Sequence, residues 1–263
     1  MTKNIALLIT IITLICSCRA KETQTEEQHV HNTSDHPIYI DRIEQGHQKA
    51  LLVKNDVVCF NLEVTFGERK SKYKIFTTPT SSKIKMEKLD GTVTIMKNGT
   101  VYTNADSTKW ESEQFGLFTY QYFFMAPYKL SDPGTRWKKL PMVQLEESAM
   151  NTAMLTFEDG TGDAPDDWYV VHSDPQTNRI TYMGYIVTGG TIAASEAEKN
   201  AHAIKYLDYR TIDGIPISHK WQFFDYSRTN GLGELIGEGS IKNAMFMEDI
   251  DHIFDTNGLQ KIN

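Results

Sequence analysis

The chain has 263 residues, 34 of them acidic against 27 basic, for a formal net charge of −7, and only three cysteines. With 40% hydrophobic residues it is long enough to bury a sizeable core, as one domain, a large sandwich or a half-barrel. The acidic balance and the lack of a Lys/Arg stripe exclude nucleic acid as a partner.

Lys3 supplies a positive start, and Ile5 to Ile15 form an apolar run too short to span a bilayer as a mature helix. The run ends in Ile15-Cys16-Ser17-Cys18. A small residue directly before a cysteine resembles the lipobox of bacterial lipoproteins. Cys18 is the better acceptor, because Cys16 follows bulky Ile15. The alternative is an ordinary cleaved signal peptide with an incidental cysteine. Residues 1–17 are therefore expected to be a lipoprotein signal peptide, and Cys18 to carry a lipid that attaches the chain to a membrane. The implied location is the cell envelope, most naturally the outer membrane, on its periplasmic or surface face. Processing removes Lys3, no acid, and Cys16. Cys59 is left as the sole thiol, so no intramolecular disulfide can form and stability must come from a core.

Residues 18–35 are polar, charged and aperiodic, and read as a disordered tether. Glu22, Glu26 and Glu27 follow the anchor closely, which in some bacterial lipoproteins marks surface export. His29, His31 and His36 suit a divalent cation chemically, but a flexible tether seldom fixes ligand geometry. No metal and no cofactor is expected.

A single β-rich domain is expected over residues 36–250, with 251–263 as a C-terminal tail. Pro37 fits the first turn of a helix. Ile40, Ile43, His47 and Ala50 recur at helical spacing, with Asp41, Arg42, Glu44 and Gln48 on other faces. His47 reads as a packed boundary residue. Val58, Phe60, Leu62, Val64 and Phe66 then alternate with Cys59, Asn61, Glu63 and Thr65, and Ile84 and Met86 alternate with Lys83, Lys85 and Glu87. Asp90-Gly91 and Asn98-Gly99 are hairpin turns. The pattern predicts an antiparallel meander with one dry and one wet face, Cys59 lying on the more polar side.

Ser107 to Met125 interrupts the strands. Trp110, Phe115, Phe118, Tyr122 and Met125 share helical spacing, while Tyr120, Phe123 and Phe124 add bulk outside that stripe. A segment so aromatic cannot be solvated on all sides. It is either a plain core helix or a lid that contacts a ligand. A three-stranded meander follows, Ala153–Phe157, Trp168–Ser173 and Ile180–Thr188. Ala153, Leu155 and Phe157 share one face, as do Trp168, Val170 and His172. Gly189 to Ala201 is a loop or short helix. A hairpin turning at Asp213-Gly214 and a last strand, Glu234 to Met247, bent at Gly237 and Gly239, complete the chain.

Three segments carry a resemblance: Tyr122 to Leu130 (YFFMAPYKL), Gly160 to Val171 (GTGDAPDDWYVV) and Asp208 to Ile217 (DYRTIDGIPI). Together they resemble an uncharacterised family of bacterial lipoproteins. The last, with the strands after it, also looks like the closing hairpin of LolA/LolB-type lipoprotein carriers. The resemblance implies a mainly β (α+β) fold: a curled antiparallel half-barrel with an N-terminal helix and a helical aromatic lid over an apolar cavity. It transfers no carrier's functional side chain to a residue here.

The expected ligand contacts are Trp110, Phe115, Phe118, Tyr122 and Phe124 from the aromatic segment, with Phe60, Leu62 and Tyr182 from the inner sheet face. The matching function is a lipid-anchored, non-catalytic protein holding an acyl chain, lipid or lipoprotein. The second reading is an interaction or scaffolding module with a filled core. A third is a Ca²⁺-dependent enzyme using the acidic loop, where Asp159, Asp163, Asp166 and Asp167 gather oxygens. That loop lacks EF-hand spacing, and its acids equally serve turn chemistry, with Asp166 or Asp167 pinning the next strand. No serine elbow, HExxH or P-loop supports catalysis.

Overall fold

Alternating burial along β1 (Val57–Phe66) sets the architecture: Val58, Phe60, Leu62 and Val64 all point into one core. In a computed structural model describing residues 37–145, 147–189, 192–248 and 252–262, this strand lies mid-sheet. Residues 1–36, on which the expected signal peptide, lipidated Cys18, tether and its histidines fall, lie outside the described residues.

From β1 the sheet grows in two directions. On one side follow β2 (Arg69–Thr77), β3 (Lys83–Lys88), β4 (Val93–Lys97) and β5 (Thr100–Thr103). Their hairpins use the expected turns, with Asn98 and Gly99 both in the left-handed region. On the other side, a second meander runs through β6 (Thr135–Leu145), β7 (Ser148–Phe157), β8 (Tyr169–Ser173), β9 (Ile180–Tyr185), β10 (His202–Ile212), β11 (Ile215–Ser227) and β12 (Gly231–Met247). The antiparallel pairing of β12 with β1 joins the halves, and β13 (Gln260–Ile262) adds to β5. Thirteen strands among the described residues thus form one open antiparallel sheet, with β13 and β6 at its edges.

The sheet must curl. A helix, α3 (Trp110–Met125), touches strands far apart in it: Tyr120 meets Tyr73 on β2, Phe124 meets Phe60 on β1, and Tyr122 meets Tyr169 on β8. From β2 to β8 is six strand intervals, ~29 Å if flat at ~4.8 Å each. A helix is only ~10 Å across, so the sheet wraps around it as a half-barrel. Gly237 helps this bend. A Cβ there would sit 2.4 Å from the Phe66 ring, which lies 4.9 Å from that of Phe223, beside bulges in the β11–β12 pairing.

Four expectations need correction. The outer face is not uniformly wet: Val57, Cys59, Phe76 and Ile95 pack under Phe254, with Ile253 and Leu259 beside it. Residues 252–262 return to the sheet rather than trailing as a tail, which buries Cys59 and pushes its thiol pKa up through desolvation. A second outer cluster, Trp168, Val170 and Ile186, lies under α4 (Ala194–Ala197). The N-terminal stripe ends early too. After α1 (Ile38–Gly46), Gln48 turns left-handed (φ 61°) before α2 (Lys49–Leu52), so Ala50 is exposed. Glu44 is buried instead, accepting from Ser131 N and Oγ (both 2.7 Å) and from Lys49 Nζ (2.9 Å).

Candidate functional site

Apolar residues run all around α3, so its sequence does not announce which face sinks. The stripe facing the sheet is Glu113, Leu117, Gln121 and Phe124. Two polar residues disguise it. Glu113 pairs with Lys88 (2.5 Å), and Gln121 Nε2 donates to Thr77 Oγ1 (3.0 Å) and Ser81 Oγ (2.6 Å). Among the expected contacts, Phe124 stacks on Phe60 and Leu62 is wholly buried beneath, so the deep hollow is filled by side chains. Trp110 stands at the helix start, donating its Nε1 to Ala105 O (3.1 Å).

Phe115, Phe118 and Tyr122 occupy the neighbouring face of α3 and line a cleft of about 540 Å³, within the ~300–1,000 Å³ usual for ligand pockets. Ile84 and Met96 supply the wall from β3 and β4, while Phe157, Tyr169 and Tyr185 supply the opposite one from β7, β8 and β9. The cleft therefore lies where the two arms of the half-barrel approach α3.

Tyr182 is a correction. It pairs with His172 and Lys205 across the sheet, and Lys205 Nζ lies 5.0 Å from its ring. A bulge at the β8–β9 pairing turns Ile180 inward and Tyr182 outward, so it cannot face the cleft.

The cleft mouth is polar. Lys129, Asp132, Thr161, Asp163 and Asp167 border it, while Asp159 and Asp166 are exposed outside its lining. Buried Asp167 accepts from Thr188 N (2.8 Å) and Thr188 Oγ1 (2.7 Å) through one oxygen. It thereby pins the segment after β9, not the strand next to it in sequence that the loop's turn chemistry suggested. Desolvation raises its pKa, and neighbouring Asp166 and Asp163 add to that. Burial likewise raises the Tyr122 and Tyr169 hydroxyls. Among the described residues, no three His, Cys, Asp or Glu come together as a metal-binding group.

Behind α3, His47 is fully buried, accepts from Ile180 N through Nε2 (2.9 Å) and meets the rings of Tyr128 and Tyr209. Desolvation, with Arg179 adding to it, lowers its pKa to about 3. His172 on the outer face, bonded to Thr152 Oγ1 (3.0 Å), is lowered by burial to about 4. Both rings are neutral structural groups at pH 7 and sit away from the cleft.

Sequence reasoning missed Phe157, Tyr169 and Tyr185 as cleft residues. Alternation groups Phe157 with Leu155, and Trp168 with Val170, each set on one face of its own strand. What it lacked was which face is concave.

No family model and no curated protein sequence matches the chain. Its structure is similar to a LolA superfamily protein from Nitrosomonas europaea, at TM-score 0.54 and 10% identity, covering 81% of this chain and 97% of that one. A DUF1329 family protein from Desulfovibrio piger aligns at TM-score 0.46 and 10% identity, over 84% and 98% of the two chains. The chain has a LolA-like fold: an open antiparallel sheet curled around a helix.

Proposed function

We propose that this chain is a non-catalytic, lipid-anchored protein of the bacterial cell envelope, tethered through Cys18, that holds one hydrophobic ligand between α3 and the rims of its sheet. The ligand class is an acyl chain, a lipid or the acylated end of a lipoprotein. The carrying observation is the cleft of about 540 Å³ with aromatic side chains on both walls. Such apolar surface open to solvent costs free energy in proportion to its area, and a ligand covering it recovers that cost. The LolA-like fold, and the carriers that the sequence resembles, support the same reading. The contacts are Phe115, Phe118 and Tyr122, with Phe157, Tyr169 and Tyr185 opposite. Trp110, Phe124, Phe60 and Leu62 shape the floor and helix from behind.

Native mass spectrometry of the full chain after mild extraction tests this. Lipid should co-purify, and Phe118→Asp should strip it, because a carboxylate in the apolar cleft is costly to desolvate. A wild-type chain that is always empty and takes up no added fatty acid refutes the proposal.

The filled hollow behind Phe124 favours a second reading, an envelope interaction module that uses its acidic loop as a contact surface. Capture of a partner by the wild type that is lost on replacing Asp163, Asp166 and Asp167 with Ala, with no lipid bound, selects it.

A further inference from the structure

The cleft has a distinct polar end, and its charges do not cancel. Lys129 pairs with Asp132, which also lies 3.7 Å from Lys49, and Lys49 pairs with Glu44. Two ammonium groups thus meet two carboxylates, and that cluster is neutral. Asp163 and Asp167 remain. Asp163 accepts only from Gln114 Nε2 (3.3 Å), and Asp167 only from Thr188, so neither has a cationic partner among the described residues. Both Thr188 donors reach the same Asp167 oxygen, Oδ1, leaving Oδ2 without a partner among the described residues although Asp167 is only 8% exposed and lines the cleft.

Beside these carboxylates stands an aromatic corner. The Phe157 and Tyr169 rings are 6.0 Å apart at 85°, and Tyr122 lies 5.1 Å from Tyr169 at 44°. All three line the cleft. Rings set at such angles offer π-faces from several directions, the arrangement that attracts organic cations, most strongly where water is excluded. A carboxylate that is already desolvated gains more from a cation than one in water.

We infer that the acidic, aromatic mouth of the cleft recognises a cationic amine headgroup, so that the occupant is an amphiphile with an ammonium at its polar end and its chain along Phe118 and Phe115. The inference rests on the lipid-binding reading above and names the headgroup it selects. An anionic headgroup would meet Asp163 and Asp167 with no free cation among the described lining residues to receive it.

Calorimetric titration of the full chain with three twelve-carbon amphiphiles, each below its micelle-forming concentration, separates the outcomes. The probes are dodecyltrimethylammonium, dodecyl maltoside and dodecyl sulfate, at about 0.15 M salt, where exposed charges are screened beyond ~8 Å. Dodecyltrimethylammonium should bind about tenfold more tightly than the maltoside, and the sulfate most weakly. The preference should fall to about twofold or less in D163N/D167N and in Phe157→Leu. Glu63→Gln, which removes one charge from the outer face, should keep it. Equal affinities in the wild type, preference for the sulfate, or a preference that survives both cleft variants overturns the headgroup site and leaves the cleft reading standing. Binding of none of the three overturns both.

Discussion

The ring of Phe60 lies flat on that of Phe124, centroids 4.0 Å apart and planes 9° from parallel. This contact closes the deep hollow of the half-barrel and ties α3 to the centre of the sheet. Together with the buried stripe beside Leu117, it makes α3 an internal element that also presents Phe115, Phe118 and Tyr122 to the cleft. Core helix and cleft wall are therefore two faces of one helix, not alternatives.

Truncating that contact should be expensive. Phe124→Ala leaves a void beneath the helix and should cost about 3–5 kcal/mol of unfolding free energy, read from urea unfolding. Phe115→Ala, at a position 47% exposed, should cost well under 1 kcal/mol, as surface substitutions do. Similar losses for both would mean that α3 is not seated as described.

Much of this fold can be read from particular residues, and the failures share a cause. Alternation at Val58–Phe66 and at Ile84 and Met86 points to the core, and Asn98-Gly99 to a turn, because those signals are local. Residues 135–145 give no such signal. As an edge strand largely exposed on both faces, carrying Arg136, Lys138, Lys139 and Pro141, β6 shows no apolar period. Tyr182 was assigned to the wrong face because a bulge in the β8–β9 pairing reverses it, whereas Cys59 lies on the expected outer face but is covered by returning C-terminal residues distant in sequence. The cleft inherits that limit, since Phe157 and Phe115 come to line one cleft only when the sheet curls.

The Glu113–Lys88 pair gives a second prediction. Glu113 is 2% exposed, bonded to Lys88 through Oε1, and its Oε2 has no partner among the described residues. Lys88→Met strands a buried carboxylate and should cost about 3–5 kcal/mol. The double variant Lys88→Met, Glu113→Leu removes both charges and should recover most of that loss in the same urea assay. No recovery would show that the pair is not buried against the sheet.

Acid should weaken the fold through its two buried histidines. The folded pKa of His47 is about 3 and that of His172 about 4, both below the ordinary 6.5. The unfolded chain therefore binds protons that the folded one refuses. Stability from this source is complete above pH 6.5 and falls as pH drops towards 4, with a limiting slope of about 1.4 kcal/mol per pH unit for each ring. Below the folded values it levels off. Unfolding midpoints measured from pH 7.5 to 4.5 should fall, and less steeply in His172→Gln, which keeps a polar group near Thr152. A flat profile would mean that both rings are protonated in the fold.

The acidic loop is the last test, because its carboxylates admit two incompatible accounts. A calcium site needs about six or more oxygens converging on one point. The structure instead gives Asp167 to Thr188, Asp163 to Gln114, and leaves Asp159 and Asp166 exposed. Adding millimolar Ca²⁺ to the full chain should leave the Tm unchanged, since an ion bound only by the folded state would raise it. Asp167→Ala should lower stability by about 1–3 kcal/mol, because the buried Thr188 N–H loses its acceptor. Asp167→Asn keeps an oxygen at that place and should lose less than half as much. If Ca²⁺ raised the Tm and Asp167→Ala abolished the rise, the loop would be a metal site and its contact with Thr188 incidental.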